Sequence, residues 1–180
     1  MSATPNDVLG FWRIAGPQKW FAKSRAFDEA VRLRFEPTHH AAARGEYDKW
    51  AVTPDGALAL VLVLDQFPRN LYRGSAHAFA TDSKARAVAT AAVAAGWHRE
   101  VDPALAGFLL LPFEHSEDLA DQERAVALAR ELGDPETLKW AEIHRDLIAR
   151  FGRFPHRNPM LGRVTTEEEQ AFLDEGGFGG

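Results

Sequence analysis

Apolar residues recur with helical spacing along much of the chain. Phe27, Val31 and Phe35 lie four residues apart, and the apolar residues of 140–151 recur at intervals of three and four. Spacing of this kind places apolar side chains on one face of an α-helix. Elsewhere no stretch alternates between apolar and polar residues with the period of a strand, so the pattern predicts helices and no sheet.

The run Ala57–Leu64 contains eight consecutive apolar residues and has two possible interpretations. A run of this length could form a buried strand. It follows Thr53-Pro54, however, which places a capping oxygen before a proline at the first helical position. We therefore interpret it as a central buried helix that continues to Gln66. The run is too short to cross a bilayer, which needs about 20 apolar residues.

Capping residues mark where further helices begin. The predicted N-caps are Thr53, Asp82, Asp102, Ser116, Asp134 and Thr166, three of which precede a proline. Thr166 forms a capping box with Glu169, and Gly96 and Gly133 predict two helix ends. The caps and the apolar spacing together predict an all-α fold of seven or eight helices. We expect one domain over residues 1–175 and a frayed, glycine-rich tail over 176–180.

Composition narrows the class of protein. Charged residues make up 26% of the 180 residues, apolar residues 46%, and the net charge is −5, which argues against general binding to nucleic acid. The absence of cysteine excludes disulfides and thiolate chemistry. The first twelve residues lack the basic and then apolar pattern of a signal peptide. We expect a soluble, cytoplasmic protein that binds neither nucleic acid nor a membrane.

Two segments of the chain carry nearly the same motif, FPRN at 67–70 and FPHRN at 154–158. The joints around them, 66–79 and 152–163, contain five arginines and no carboxylate. Residues 113–118, FEHSED, place three acids around a histidine. We expect these junctions to converge on one polar site. Its candidate ligand-binding residues are Asp65, Arg69, Asn70, Arg73, Glu114, His115, Glu117, His144, Arg153, His156, Arg157 and Asn158.

Three interpretations of this site remain open. In the first, the arginines hold a small anionic ligand or an acidic peptide segment, because the guanidinium fork suits carboxylate and phosphate groups. In the second, the chain is an enzyme, for example a hydrolase, with Glu114 or His115 as the acid–base group and Arg157 stabilising developing negative charge. In the third, the arginines and carboxylates form a purely structural network that fixes the helix junctions.

Metal and nucleophilic chemistry have weaker support. His115, His144 and His156 could bind a metal with nearby carboxylates, but neither HExxH nor His-x-His is present, so we predict no metal and no cofactor. Ser116 lies between His115 and Glu117, yet neighbouring side chains at a helix start diverge and cannot relay protons. The G-x-S-x-G motif of the α/β-hydrolases is also absent.

Three long blocks of the chain resemble a known family. LDQFPRNLYRGSAHAFATDSKA (64–85), LPFEHSEDLADQE (111–123) and HRDLIARFGRFPHRNPMLGR (144–163) are similar to the bacterial family called domain of unknown function 924. The likeness extends from about Val8 to Leu173. It implies an irregular array of antiparallel-stacked helices like that of tetratricopeptide-repeat proteins. It implies no activity, but such arrays can bind a peptide or partner on a concave face.

Overall fold

A computed structural model describes residues 3–179 of the chain. In that range all regular secondary structure is helical, which confirms the predicted all-α class. The α-helices are α1 Pro5–Ala15, α2 Pro17–Trp20, α3 Arg25–Ala43, α4 Pro54–Val61, α5 Phe67–Leu71, α6 Asp82–Ala94, α7 Leu111–Glu114, α8 Leu119–Leu132, α9 Pro135–Phe151 and α10 Glu167–Asp174. A π-helical segment covers Leu62–Gln66, and short 3-10 helices cover Asp48–Val52, Ala76–Phe79, Trp97–Arg99, Ala106–Leu109 and Pro155–Arg157.

The chain divides into two compact units, each of which is described by itself. The first unit comprises the described part of residues 1–73 together with 77–112, and the second comprises 74–76 and the described part of 113–180. A single domain over residues 1–175 and tetratricopeptide-like stacking therefore stay predictions. Within residues 3–179, each helix is too short or too polar to serve as a membrane span.

The core of the first unit is built around α4 and the π-helical segment that continues it. Every side chain of Ala57–Leu64 is fully buried, which confirms the interpretation of this run as a central helix. α1 and α6 pack against α4, and α3 packs against α5. Trp12, Phe35 and Phe67 are also fully buried, and their rings are in edge or tilted contact with neighbouring aromatic rings. The first unit therefore holds α5 firmly against its core.

The π-helical segment Leu62–Gln66 changes the hydrogen bonding of its backbone. A π turn joins residues five apart and disrupts the α-helical ladder, so nearby carbonyls can accept bonds from side chains. The carbonyls of residues 63–65 accept bonds from His39 Nδ1 at 3.0 Å, from Thr81 Oγ1 and from Arg69 Nη1 respectively. Each of these donors gives a hydrogen bond to a buried carbonyl, and a buried carbonyl without one would lower the stability of the fold.

The second unit is organised by α8 and α9, which pack against each other. Gly133 ends α8 with a φ of 74°, a left-handed conformation that favours glycine. Asp134 then caps α9 by accepting a hydrogen bond from Thr137 N at 2.9 Å. Leu147 and Ile148 of α9 form an apolar cluster with Phe154, and Phe151, Phe172 of α10 and Phe178 pack against this cluster.

Three of the predicted N-caps are confirmed, at Thr53, Asp134 and Thr166. The predicted caps at Ser116 and Asp102 are wrong. α8 is capped by Asp118, and Ser116 Oγ accepts from the backbone N of Asp118 at 3.2 Å. Asp102 accepts from Ala104 N at 3.0 Å, which closes a turn that no α-helix follows. Asp82 is the first residue of α6 rather than its cap, and its carboxylate binds Arg69.

Candidate functional site

The twelve candidate residues are divided between the two units. Asp65, Arg69, Asn70 and Arg73 belong to the first unit; Glu114, His115, Glu117, His144, Arg153, His156, Arg157 and Asn158 belong to the second. That all twelve meet at one site stays a prediction. Within each unit, the structure shows which of them lie together.

In the first unit, Arg69 is held by two carboxylates. Its Nη1 and Nη2 each lie 3.0 Å from an oxygen of Asp82, in the bidentate geometry that makes strong ion pairs. Asp65 Oδ1, on a fully buried side chain, lies 3.4 Å from Nη1. Burial alone would lower the pKa of Arg69, but the carboxylates of Asp65 and Asp82 outweigh it and raise that pKa. Arg69 therefore acts as a structural cation.

Asn70 and Arg73 both bind Asp28, a residue that the sequence did not single out. Asn70 Nδ2 donates to Asp28 at 2.8 Å, and Arg73 donates from Nε at 2.9 Å and from Nη2 at 2.8 Å. Partial burial would raise the pKa of Asp28, but these hydrogen bonds lower it below its ordinary value. No local signal joins Asp28 to Arg73, because 45 positions separate them.

An open cavity of about 350 Å³ adjoins this cluster, beside the start of α3 and the end of α5. It is lined by Arg25, Asp28, Glu29, Arg32, Asn70, Leu71 and Arg73. The guanidinium group of Arg32 already has protein partners, since Nη1 donates to Glu36 at 3.0 Å and Nη2 donates to the carbonyl of Leu71. The side chain of Arg25 is exposed and makes no hydrogen bond or ion pair in residues 3–179. Arg73 Nη1 likewise makes no hydrogen bond within that range.

In the second unit, residues 113–118, which contain three acids and His115, contact the segment that carries the FPHRN motif. Glu117 Oε1 accepts a hydrogen bond from Phe154 N at 2.8 Å, and Arg163 binds both Glu117 oxygens at 2.6 and 2.9 Å. Arg157 Nη1 donates to the carbonyl of His115 at 3.0 Å. Partial burial would raise the pKa of Glu117, but the bonds from Arg163 and Phe154 N lower it. These two segments therefore form one continuous polar network.

Arg153 and Asn158 are joined through Glu169, another residue outside the predicted site. Arg153 Nε and Nη2 bind the two oxygens of Glu169 at 2.6 and 2.8 Å, and Asn158 Nδ2 lies 3.1 Å from it. The hydrogen bonds from Arg153, despite opposing burial, lower the pKa of Glu169 to about 2. Glu169 was predicted only as half of a capping box, a role that it also has.

The imidazole of His144 lies beside the buried carboxylate of Glu114. His144 Nδ1 is 2.7 Å from the carbonyl of Trp140 and 3.7 Å from Glu114 Oε2. Because a carbonyl only accepts, Nδ1 carries the proton, and in the neutral ring Nε2 is the basic nitrogen. This tautomer is the one that a general base on Nε2 would need.

His156 lies in a more apolar setting nearby. Its ring centroid is 5.7 Å from that of Phe154, and its buried Nδ1 has no hydrogen-bond partner in residues 3–179. Burial first, and then the positive fields of Arg157, His144 and His115, lower the pKa of His156 to about 3. His156 is therefore uncharged at neutral pH. Among residues 3–179, no three side chains of His, Asp or Glu are grouped so that they could hold a metal ion.

These features define an all-helical protein in which carboxylates already bind several of the candidate arginines. A family model described as a bacterial protein of unknown function (DUF924) matches residues 8–177, and the chain belongs to this family. The solved structure of a protein of unknown function from Agrobacterium tumefaciens is 50% identical, with a TM-score of 0.92 over 95% of this chain and 97% of that one. A comparison with curated proteins finds no significant match.

Proposed function

We propose that the chain is a binding module that holds a small anionic ligand in the first-unit cavity. The observation that carries this proposal is the pair of guanidinium groups with unused donors, Arg25 and Arg73, that line the cavity. At about 350 Å³ the cavity falls in the range of about 300–1,000 Å³ that is usual for small-molecule sites.

The charge of the lining favours an anion. Three arginines and two carboxylates, Asp28 and Glu29, line the cavity, which leaves a formal charge of +1 in a chain whose net charge is −5. Arg73 already neutralises Asp28, so Arg25 supplies the excess positive charge. A guanidinium group offers paired donors to a carboxylate or a phosphate.

The other candidate arginines support this choice by contrast. Arg69 and Arg153 each bind a carboxylate through two nitrogens, as Arg163 does. An anion arriving there would have to displace a carboxylate that is largely shielded from water, which is costly. At Arg25 an anion displaces only water.

Calorimetric titration with inorganic phosphate, succinate, citrate and a short peptide of aspartates tests the proposal. We expect at least one probe to bind, and Arg25→Ala to weaken that binding about tenfold or more, which corresponds to about 1.4 kcal/mol. The affinity should also fall as salt is added. A small acid that binds while the peptide does not would identify a small-molecule site.

Arg44→Ala is the matched control, because Arg44 is exposed, pairs with Glu46 at 2.7 Å and does not line the cavity. This variant should bind the probe like the natural chain. Equal weakening by both substitutions would show a nonspecific charge effect, and binding that survives Arg25→Ala would refute the proposed site.

A further inference from the structure

An aromatic ring lies over the imidazoles of the second unit. Phe178 packs with its ring centroid 4.7 Å from that of His144 and 5.3 Å from that of His156, at steep angles of 65° and 79°. It also contacts Trp140, with the centroids 6.1 Å apart. Phe178 follows α10 in the segment EGGFG at 175–179, in which it is the one apolar side chain.

The backbone of this segment is weakly attached. Gly176 and Gly177 donate to the carbonyls of Leu173 and Phe172, at 3.1 and 3.0 Å, and thereby end α10. Phe178 and Gly179 make no backbone–backbone hydrogen bonds within residues 3–179. Glycine also gains more conformational freedom than other residues when a segment is released. The segment is therefore held chiefly by one side chain.

Several ionisable groups surround the imidazole of His156 beneath this ring. Segment 113–118 contributes His115 and Glu117, α9 contributes His144, which lies beside Glu114, and Arg157 adjoins His156 in its own turn. Glu169 of α10 is held by Arg153. The buried Nδ1 of His156 has no partner in the described residues, so opening this region to water would satisfy it.

We propose that segment 175–179 is a pH-sensitive strap, whose Phe178 ring closes the imidazole cluster at neutral pH and leaves it when His156 takes up a proton. The proposal concerns the second unit alone and is independent of the proposed anion site. The family match ends at residue 177, so Phe178 is not among the matched residues.

The physical basis is the cost of burying charge. An imidazolium ion of His156 beneath an apolar ring and beside Arg157 loses hydration and is repelled, so the closed state favours a neutral His156. Once the ring leaves, water reaches this imidazole and its pKa rises towards the ordinary value near 6.5. Each pH unit below that value then lowers the ratio of closed to open strap by up to tenfold.

Histidine titrations followed by NMR test the closure. In the natural chain we expect His156 to stay neutral to about pH 4, in keeping with its pKa of about 3. Phe178→Ala should raise that pKa by about one unit or more, because it exposes the ring. Phe178→Leu, which keeps an apolar cover, should leave it close to the natural value. An unchanged pKa in Phe178→Ala would refute the proposal.

Phe172→Ala is the matched control. Phe172 belongs to the same apolar cluster and lies 5.3 Å from Phe151 between ring centroids. Its truncation should destabilise the second unit without raising the pKa of His156. A comparable rise in both alanine variants would show a general loosening of the unit and would overturn the specific role of Phe178.

A second measurement tests release in the natural chain. The heteronuclear NOE of the Gly177 and Gly179 amides should fall as pH is lowered from about 5 to 3, where His156 takes up its proton, while the helical circular dichroism remains constant. In Phe178→Ala the NOE of both amides should be low at every pH. Values in the natural chain that stay constant until the helices unfold would show that protonation does not open the strap.

Discussion

The FPRN corner of the first unit and the FPHRN corner of the second use the same residue types in different backbones. Phe67 and Phe154 are both fully buried, and the asparagines Asn70 and Asn158 are buried as well. Yet the first corner forms α5 directly after a π-helical segment, whereas the second forms a 3-10 turn after Gly152 has ended α9.

The polar partners of the two corners also differ. In the first unit, Arg69 and Asn70 bind aspartates of α6 and α3; in the second, Asn158 binds Glu169 of α10. Arg157 donates to a carbonyl and lies 4.3 Å above the ring of Phe154. The comparison teaches that the motif fixes which side chains are buried, while the surrounding helices decide which groups they bind.

The largest expected effect is at Arg69. Arg69→Ala removes a cation shared by Asp82 and the fully buried Asp65, and should lower the free energy of unfolding by about 3–5 kcal/mol. Urea denaturation followed by circular dichroism measures this loss. Arg73→Ala is the control, because its ion pair with Asp28 is partly exposed and should contribute only about 0–1 kcal/mol. Similar small losses in both variants would show that the Arg69 network does not stabilise the first corner.

The asparagines offer a sharper test of how the corners differ. Asn158 is fully buried and binds two charged side chains, donating to Glu169 and accepting from Arg163 at 2.9 Å. Asn158→Ala should therefore cost about 2–3 kcal/mol.

Asn70→Ala should cost only about 1 kcal/mol, because Asp28 keeps its bidentate bond to Arg73. Parallel urea titrations of the two variants measure the difference. Equal costs would mean that the corners are energetically equivalent despite their different partners.

A further expected effect depends on pH and concerns Glu169, the carboxylate that Asn158 of the second corner binds. The folded-state pKa of Glu169 is about 2, below an unfolded value near 4.5, so its contribution is complete above about pH 4.5 and is lost as pH falls towards 2. Because Arg153 is partly exposed, solvent screening limits this contribution to about 1–2 kcal/mol.

Urea denaturation of Glu169→Gln and of the natural chain, at pH 7 and at pH 3, measures the contribution of the Glu169 carboxylate to the free energy of unfolding. The variant should lose less stability than the natural chain between the two pH values. Glu168→Gln is the control, since Glu168 forms an exposed ion pair with Arg150 and should leave the pH dependence unchanged. A Glu169→Gln variant with the natural pH dependence would contradict the assigned ion pair.

The sequence predicts those features of this fold whose interacting residues lie close together along the chain. The capping box of Thr166 and Glu169 acts over three residues and is confirmed. The π-helical turn within the buried run was not predicted, because a segment that is apolar on all sides gives no periodic signal of a change in helical pitch.

The candidate site shows the same limit. The arginine-rich joints are visible in the sequence, but Arg153 binds Glu169 16 positions away and Arg73 binds Asp28 45 positions away. Residue types and local spacing contain no information on such pairings, and the cavity beside Arg25 depends on them. For that reason, the sequence shows where arginines are concentrated but assigns no partners to them, and it did not single out Arg25.

The π-helical turn at Leu62–Gln66 determines the direction in which the side chains of α5 point. An α-helix advances about 100° per residue, so deleting one residue there to restore α-helical pitch would rotate α5 by about that angle. The side chains of Asn70 and Arg73 would then point away from Asp28, and the cavity beside Arg25 would lose part of its lining. The one additional residue in this buried turn therefore determines whether Asn70 and Arg73 face Asp28.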